Sequence, residues 1–420
     1  MHQLRRSLTT RGAAFAGAGL VLVSAGVLLG QHDVTRVGIL LLALTTIALV
    51  LVRRHGLHLD VVRTATPARV AIDERAVVTV RIRNVEPTPS PVVMAEESID
   101  YALGDRPRFV LPSLRPGDVQ EVQYTVRSHT RGVHRIGPLG VRVRDPFGLT
   151  LRTAAVSGDA EIVVLPKVVP LPHGRSLGSG IGSEGSIPHM VALHGEDDVS
   201  IRSYRDGDDL RRIHWPATAK TGELMVRQED RPARRRAAIV LDSRARGHHG
   251  SGTSGSFEWG VTACASVAAH LLDQGYAVHL ISDETAEDSR AASAMEVDPL
   301  LDVLAMAETG SDDQFADVLQ SAHPVTASGG LVLAVVTDLD EELARRVASL
   351  RQPGGTALAI VLDPDGFTAT RRHRAGSSDE LACVPVLRGA GWTVAVVGAG
   401  DDLPSVWGVL SGSTSRVGVA

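Results

Sequence analysis

Two uncharged apolar runs near the N-terminus constrain this chain more than any other feature: Ala13 to Gly30 holds no charged residue, and Val37 to Val52 is again uncharged and leucine-rich. A helix rising about 1.5 Å per residue needs roughly 17 to 25 residues to cross a bilayer. The first run is long enough, and the second becomes so if it starts near Val34 with Arg36 snorkelling outward, giving spans of 13–30 and 34–52. The linker Gln31 to Arg36 is short, so the spans form a hairpin with both flanks on one side of the membrane. Arg5, Arg6 and Arg11 precede the first span and Arg53 and Arg54 follow the second, whereas in the turn Arg36 is offset by Asp33. The positive-inside rule then predicts a two-span cell-membrane protein with both termini cytoplasmic and the lipid bilayer as its first partner. A signal peptide with Leu20 to Leu29 as its apolar region is the competing reading. The length of the first run, the lack of a small-x-small cleavage site after Leu29 and the immediate second run count against it. Gly12, Gly17, Gly19 and Gly26 are read as ordinary membrane-helix glycines rather than as a packing motif.

Beyond residue 55 the chain reads as water-soluble. With 420 residues, 22% charged residues and a net charge of −5, it is neither disordered nor a basic nucleic-acid binder, and 3% aromatics supply no stacking platform for single strands. No nucleic-acid partner is expected. The two cysteines, Cys264 and Cys383, are too few for a disulfide framework. Residues 56–166 carry short β-branched runs of period two, among them Val78, Val80 and Ile82, then Val122, Tyr124 and Val126, then Val141 and Val143, punctuated by Pro87, Pro89, Pro91 and Arg115-Pro-Gly-Asp118. This predicts a β-sandwich-like domain. Residues 167–200, in particular Leu171 to His194, are rich in Gly, Ser and His and read as an extended connector outside any core. Gly180, Gly182 and Gly185 fit G-x-G-x-x-G, but Pro188 stands where the helix of a phosphate cradle would start, so the motif is read as linker.

From 201 to 420 buried-strand runs alternate with amphipathic stretches: Ala237–Leu241, Phe257–Gln274, Ala277–Ile281, Leu331–Val336, Leu343–Leu350, Ala357–Leu362 and Val394–Val397. Alternation of this kind predicts an α/β fold with a doubly wound parallel sheet, ligand positions lying at the carboxyl ends of its strands. Val261, Ala265, Ala268 and Leu272 form the apolar stripe of the first helix, with Cys264 a small core residue.

The densest polar stretch runs from Arg202 to Lys220. Asp208 or Asp209 would cap a short helix whose last turn carries Arg211, Arg212 and His214 before Pro216 stops it. A functional reading has Arg202, Arg205 and Arg211 grip an anion and Asp208 orient His214, but no nucleophile sits at a recognisable spacing, so structural or interface use is favoured over catalysis. His248-His249 reads as a solvated loop tip, and Arg234-Arg235-Arg236 either as a solvated edge or as a patch for anionic lipid.

Arg202, Tyr204, Gly207, Asp208, Arg211, Ile213, His214 and Trp215 reproduce the pattern R-x-Y-x-x-G-D-x-x-R-x-I-H-W, and with Arg131-Gly132, Gly137-Pro138-Leu139 and Asp145-Pro-Phe-Gly-Leu149 the chain resembles the domain of unknown function 58 family. The resemblance implies a membrane-tethered protein whose C-terminal part is similar to a von Willebrand factor A domain. It also implies, as partners, a MoxR-type AAA+ ATPase and a transglutaminase-like membrane protein. Such A-type domains hold Mg²⁺ on a first loop reading D-x-S-x-S, and here that loop is Asp242-Ser-Arg-Ala-Arg246. Arginine at both serine positions predicts a degenerate site, with Asp242, Ser243 and Asp338 as its remaining oxygen donors and with Asp242 paired to arginine as the plainer outcome. No cofactor is expected, Mg²⁺ being the one candidate. The favoured function is a cytoplasm-facing interaction or scaffold module working with the ATPase. The alternative is a metal-assisted hydrolase near the envelope that uses Asp242, Asp338 and His214.

Overall fold

A computed structural model of the chain describes residues 8–54, 58–173, 199–204, 213–229, 235–250, 252–287, 290–327, 329–368 and 381–412. Two helices open it, α1 (Thr10–Leu28) and α2 (His32–Arg54). Both are long and apolar enough to cross a membrane, over Thr10–Leu28 and His32–Val52. They pack closely because glycine faces the contact: a Cβ on Gly19 would lie 2.9 Å from Leu42 Cγ, and one on Gly38 would lie 2.7 Å from the Val23 nitrogen. Gly12, Gly19 and Gly26 are all buried. Gly19 and Gly26 therefore do more than the sequence reading allowed, since they let the two backbones approach, whereas Gly12 faces Leu149 and Gly17 meets nothing within 4 Å.

Strands β1 (Leu59–Thr66), β3 (Arg75–Asn84) and β6 (Val119–Arg127) form one antiparallel sheet in the order β1-β3-β6. The other sheet runs β2-β9-β7-β4-β5, from β2 (Arg69–Ala71), β4 (Val93–Ile99), β5 (Arg108–Leu111), β7 (Gly132–Arg144) and β9 (Ala160–Leu165), with β8 (Leu151–Val156) paired to β7. The period-two pattern sends Val78, Val80 and Ile82 from one sheet, and Ile136, Leu139, Val141 and Ile162 from the other, into a shared core. One ion pair sits inside it, Arg63 on β1 with Glu97 on β4, at 2.8 Å with neither side chain exposed. After β9 the chain does not leave at once. Leu171 joins the core of the following domain, the Val169 N–H donates to Ser266 Oγ at 2.9 Å, and the His173 ring lies edge-on to His270. This corrects the connector reading for 167–173, which form a strap held by apolar burial; Gly180, Gly182, Gly185 and Pro188 lie outside the described residues.

Strands β10 (Val199–Ser203) and β11 (Met225–Glu229) pair antiparallel, with helix α3 (Trp215–Thr221) between them in sequence. The C-terminal sheet is built from β12 (Arg236–Leu241), β13 (Ala277–Ile281), β14 (Leu331–Val336), β15 (Thr356–Leu362) and β16 (Thr393–Val397). Its order is β13-β12-β14-β15-β16, and every pairing is parallel. Every residue of β14, Leu-Val-Leu-Ala-Val-Val, is buried, as expected of a strand covered on both faces. On one face Ile239, Leu333 and Ile360 pack under α4 (Ser256–Asp273), α6 (Val297–Met306) and α10 (Leu403–Leu410). On the other, Val240, Ala334 and Val361 pack under α7 (Asp312–Thr326), α8 (Glu341–Ala348) and α9 (Cys383–Gly389), and the short α5 (Asp283–Glu287) follows β13. Cys264 is fully buried in the first of these cores, as the stripe on α4 predicts.

Candidate functional site

In this sheet the strand order reverses between β12, which pairs with β13 on one side, and β14 on the other, so the crevice at their carboxyl ends is where such folds place their chemistry. Asp242 and Thr337 are the first residues beyond those two strands. The Asp242 carboxylate is fully buried, and all its contacts are internal. Arg244 grips it in a fork, Nε to Oδ1 at 2.9 Å and Nη2 to Oδ2 at 2.8 Å, while the Thr337 N–H and hydroxyl donate to Oδ2 at 3.0 and 2.9 Å. The guanidinium also donates to Thr337 Oγ1 at 2.9 Å and lies 5.3 Å from the centre of the Phe315 ring. Gly247 makes room for this arrangement, because a Cβ there would fall 2.2 Å from Thr337 Oγ1.

Burial alone would raise the Asp242 pKa, but the hydrogen bonds and charge of Arg244, with the Thr337 N–H, overcome it and hold the carboxyl below its usual range. Arg244 shifts upward in turn: burial opposes its charge, and Asp242, then Asp312 and Asp340, more than restore it. Both partners therefore favour the ionised pair.

The remaining expected donors do not assemble around a cation. Ser243 Oγ gives its hydrogen to the Asp283 carboxylate. Asp338 contributes its backbone carbonyl to Arg244 Nη2 at 3.3 Å, and its buried Oδ1 has no hydrogen-bond partner among the described residues. Arg246 turns away from Asp242 to Asp312 at 2.9 Å and Asp340 at 3.8 Å, so only one of the two arginines makes the expected pair. Among the described residues no group of three or more His, Cys, Asp or Glu is placed to hold a metal ion. The donor set does not fit Mg²⁺, because the guanidinium stands on the carboxylate that would bind it.

His248, read as a loop tip, is half-buried and bonded on both ring nitrogens, Nε2 to the Asp242 carbonyl at 2.7 Å and Nδ1 to Ser256 Oγ at 3.0 Å. Burial lowers its pKa; the Asp242 carbonyl and carboxylate act against that, Arg244 and His249 with it. The His248 ring meets Phe257 edge-on, and Arg131 from the loop before β7 lies 5.1 Å over Phe257 from the other domain. Arg131 is nearly buried, pairs with Glu258 and donates from Nε to the Leu304 carbonyl at 2.9 Å and from Nη2 to the Ala307 carbonyl, so it caps the end of α6. Thr337, Asp283, His248 and Arg131 carry no signal in the sequence pattern of the D-x-S-x-S loop. The rule that ligand residues follow the carboxyl ends of parallel strands would have pointed to Thr337 and Asp283.

The signature residues sit apart from this crevice. The His214 N–H donates to the Met225 carbonyl at 2.8 Å, and its Nδ1 accepts from the Ala217 N–H at 3.2 Å, which makes it the N-cap of α3. Pro216 thus opens a helix instead of stopping one, since the first turn needs no N–H from it. Tyr204 and Ile213 are half-buried, the Tyr204 N–H bonding the Leu224 carbonyl at 2.8 Å and Ile213 bridging Val226, while Trp215 is 66% exposed. The backbone of Arg202 lies in β10; Arg205, Gly207, Asp208, Asp209, Arg211, Arg212 and Arg234 lie outside the described residues. The Arg235 guanidinium stands 6.0 Å over the Tyr276 ring.

With this geometry in hand, the chain can be set beside known proteins. The family described as "Protein of unknown function DUF58" matches residues 200–352. The uncharacterized protein YeaD of Bacillus subtilis is 25% identical over 217 residues, 50% of this chain and 52% of that protein, so the chain matches about half of that curated relative's length. Among solved structures, a CARDB domain from Pyrococcus furiosus is 18% identical, covering 26% of this chain and 91% of that one at a TM-score of 0.19. The putative ApaA protein from Bordetella pertussis is 16% identical, covering 26% and 94% at 0.20. Likeness of that extent leaves the fold to be described by the chain's own topology.

Proposed function

We propose that this chain is a membrane-anchored interaction module, facing the cytoplasm, whose α/β domain is a von Willebrand factor A-like body with an arginine in the cation's place. The observation that carries the reading is the fork of Arg244 on the buried Asp242, at 2.9 and 2.8 Å. A hydrolase would need that carboxylate open to a metal or water, and here it is closed by an internal charge of the same sign as the metal. Two apolar helices of membrane-spanning length support the anchor, and the arginines flanking them support the cytoplasmic orientation. The partner proposed is a MoxR-type AAA+ ATPase, on the strength of the signature segment, with a transglutaminase-like membrane protein as a further member of the complex. Trp215, exposed on the signature helix α3, is the side chain best suited to anchor such a contact.

The test is binding of the purified ATPase to the detergent-solubilised chain. Trp215→Ala should weaken it by about tenfold or more, the loss typical of a tryptophan hot spot. Equal affinity of wild type and variant removes the signature surface from the contact, and absence of binding by wild type removes the ATPase. Calorimetric titration with Mg²⁺ should give no stoichiometric uptake; uptake abolished by Asp242→Ala, together with a hydrolytic activity, would return the enzyme reading.

A further inference from the structure

The motif Asp145-Pro-Phe-Gly-Leu149 has no part in the strand-end crevice. It forms the tip of the β7–β8 hairpin, and that tip is bonded to the mouth of the helical pair. The Thr9 N–H donates to the Leu149 carbonyl at 2.9 Å, and Thr9 Oγ1 donates to the Gly148 carbonyl at 2.8 Å while accepting from the Gly12 N–H as the N-cap of α1. Leu149 lies directly on α1, for a Cβ on Gly12 would fall 2.0 Å from its carbonyl oxygen. Thr150 Oγ1 reaches the Ala48 carbonyl of α2 at 3.5 Å. Asp145 builds the turn, accepting from the Phe147 N–H at 2.8 Å and the Thr150 hydroxyl at 2.9 Å, and Gly148 closes it at φ +68°.

Depth follows from these contacts. Gly12 lies two residues after Thr10, and Ala48 lies four residues before Val52, so these contacts lie roughly 3 to 6 Å inside the ends of the two apolar spans. Leu149 is buried by this seating, yet Phe147 beside it is 56% exposed. Arg11, next to Gly12 in the first turn of α1, and Arg144, next to Asp145 at the end of β7, are both exposed. An exposed apolar ring on a turn whose neighbouring residues include exposed cations is complementary to an anionic leaflet.

We propose that the 145–149 turn is a lipid-contacting foot. Phe147 enters the boundary region of the bilayer, Arg11 and Arg144 face anionic phospholipid headgroups, and the soluble body is held at a fixed height over the membrane. The proposal rests on the membrane-anchored reading and adds to it a contact made by the β-domain itself.

Cys264 and Cys383 are both fully buried, so a cysteine introduced at the surface is the thiol that takes a label. The full chain would be reconstituted in phosphatidylcholine vesicles with and without phosphatidylglycerol. It would carry an environment-sensitive fluorophore at Phe147→Cys or, as an aqueous control, at Tyr101→Cys, a position that is 95% exposed. The label at 147 should be quenched by brominated acyl chains and shielded from iodide, more so with phosphatidylglycerol, and the label at 101 should show the reverse. Arg11→Gln with Arg144→Gln should abolish the phosphatidylglycerol effect; if that effect persists, the headgroup contact is refuted. A 147 label as open to iodide as the 101 label refutes the foot. Carbonate extraction of the same vesicles separates the premise from the proposal: a chain that is released refutes the anchor, and a chain that is retained with 147 in water refutes the foot alone.

Discussion

Single residues decide what the strand-end crevice can do. Buried charge is tolerated only when paired, and removing one partner of a buried pair costs about 3–5 kcal/mol because the other is left uncompensated. Arg244→Ser, which restores the serine of the D-x-S-x-S pattern, should therefore destabilise the α/β domain by about that amount in chemical unfolding of the detergent-solubilised chain. Asp242→Asn combined with Arg244→Met should recover most of the loss. Added Mg²⁺ that rescued Arg244→Ser would show that arginine had replaced the ion in a site otherwise competent to bind it. The same crevice sets an acid limit. His248 has its pKa pushed below the ordinary imidazole value of about 6.5, chiefly by burial, so the folded protein binds fewer protons than the unfolded chain as the pH drops. Its contribution is complete above that ordinary value and is lost as the pH falls toward the depressed one. Asp242, held below the usual carboxylate range, adds a second loss of the same sign further into acid. A thermal midpoint that is flat between about pH 7 and 8 and declines below about pH 6.5 is the expected profile, shallower in His248→Gln over that first interval. A midpoint that rose on acidification would contradict it. The Asp242–Arg pair was legible in the sequence because a cation two residues from a strand-end aspartate has little else to bond. His248 was not, because its partners are a carbonyl and a hydroxyl that only the return of α4 over the sheet brings near.

At the scale of elements, legibility followed periodicity. The runs Ala277–Ile281 and Leu331–Val336 coincide with β13 and β14, since strands buried on both faces must be continuously apolar. Helices α6, α7, α9 and α10 carry no legible period because their sequences are short or broken by proline, as at Pro324 in α7, and their apolar faces are defined only by the sheet beneath. Helix α3 shows the limit most clearly, for proline stops helices and also starts them, and sequence does not say which side of Pro216 is helical. The helical pair offers a direct test of element packing. Gly19→Leu forces a side chain against Leu42 and the Gly38 carbonyl, at 2.9 and 3.0 Å from the new Cβ, whereas Gly17→Leu meets open space. Unfolding in detergent should cost about 1–3 kcal/mol more for the Gly19 variant, in line with overpacking, and nothing measurable for Gly17. Equal effects would mean that the glycines are incidental, as their sequence alone suggested.

The whole molecule is tied together by a few cross-domain contacts, and their burial predicts which of them matter. Arg69 reaches Asp298 at 3.2 Å and Asp302 at 2.9 Å, but those groups are partly exposed and the pairs are screened by solvent and salt. Arg131 is different in kind: its side chain is 5% exposed, it pairs with Glu258, and its bonds to the Leu304 and Ala307 carbonyls fix the end of α6 against the β-domain. Through Phe257 and His248 the same arginine lies at the end of a run of contacts that begins at Asp242. Neither domain's own pattern reveals this junction, because it joins a loop before β7 to a helix end about 170 residues away, which only the assembled chain specifies. Arg131→Ala should loosen the junction by about 2–5 kcal/mol, the range for truncating one member of a buried hydrogen-bonded charge pair, and Arg69→Ala by no more than about 1 kcal/mol. Hydrogen exchange can read the difference locally. Amides at the end of α6 should lose protection strongly in Arg131→Ala at any ionic strength, and weakly in Arg69→Ala, with that loss vanishing in high salt, while the sheet amides of β12 and β14 stay protected in both. If Arg131→Ala left the end of α6 as protected as in wild type, the junction between the β-domain and the α/β body would rest on the strap at 167–173 and the Arg69 pairs, and the hairpin tip seated on the N-terminal helices would have no route to the α/β body through Arg131.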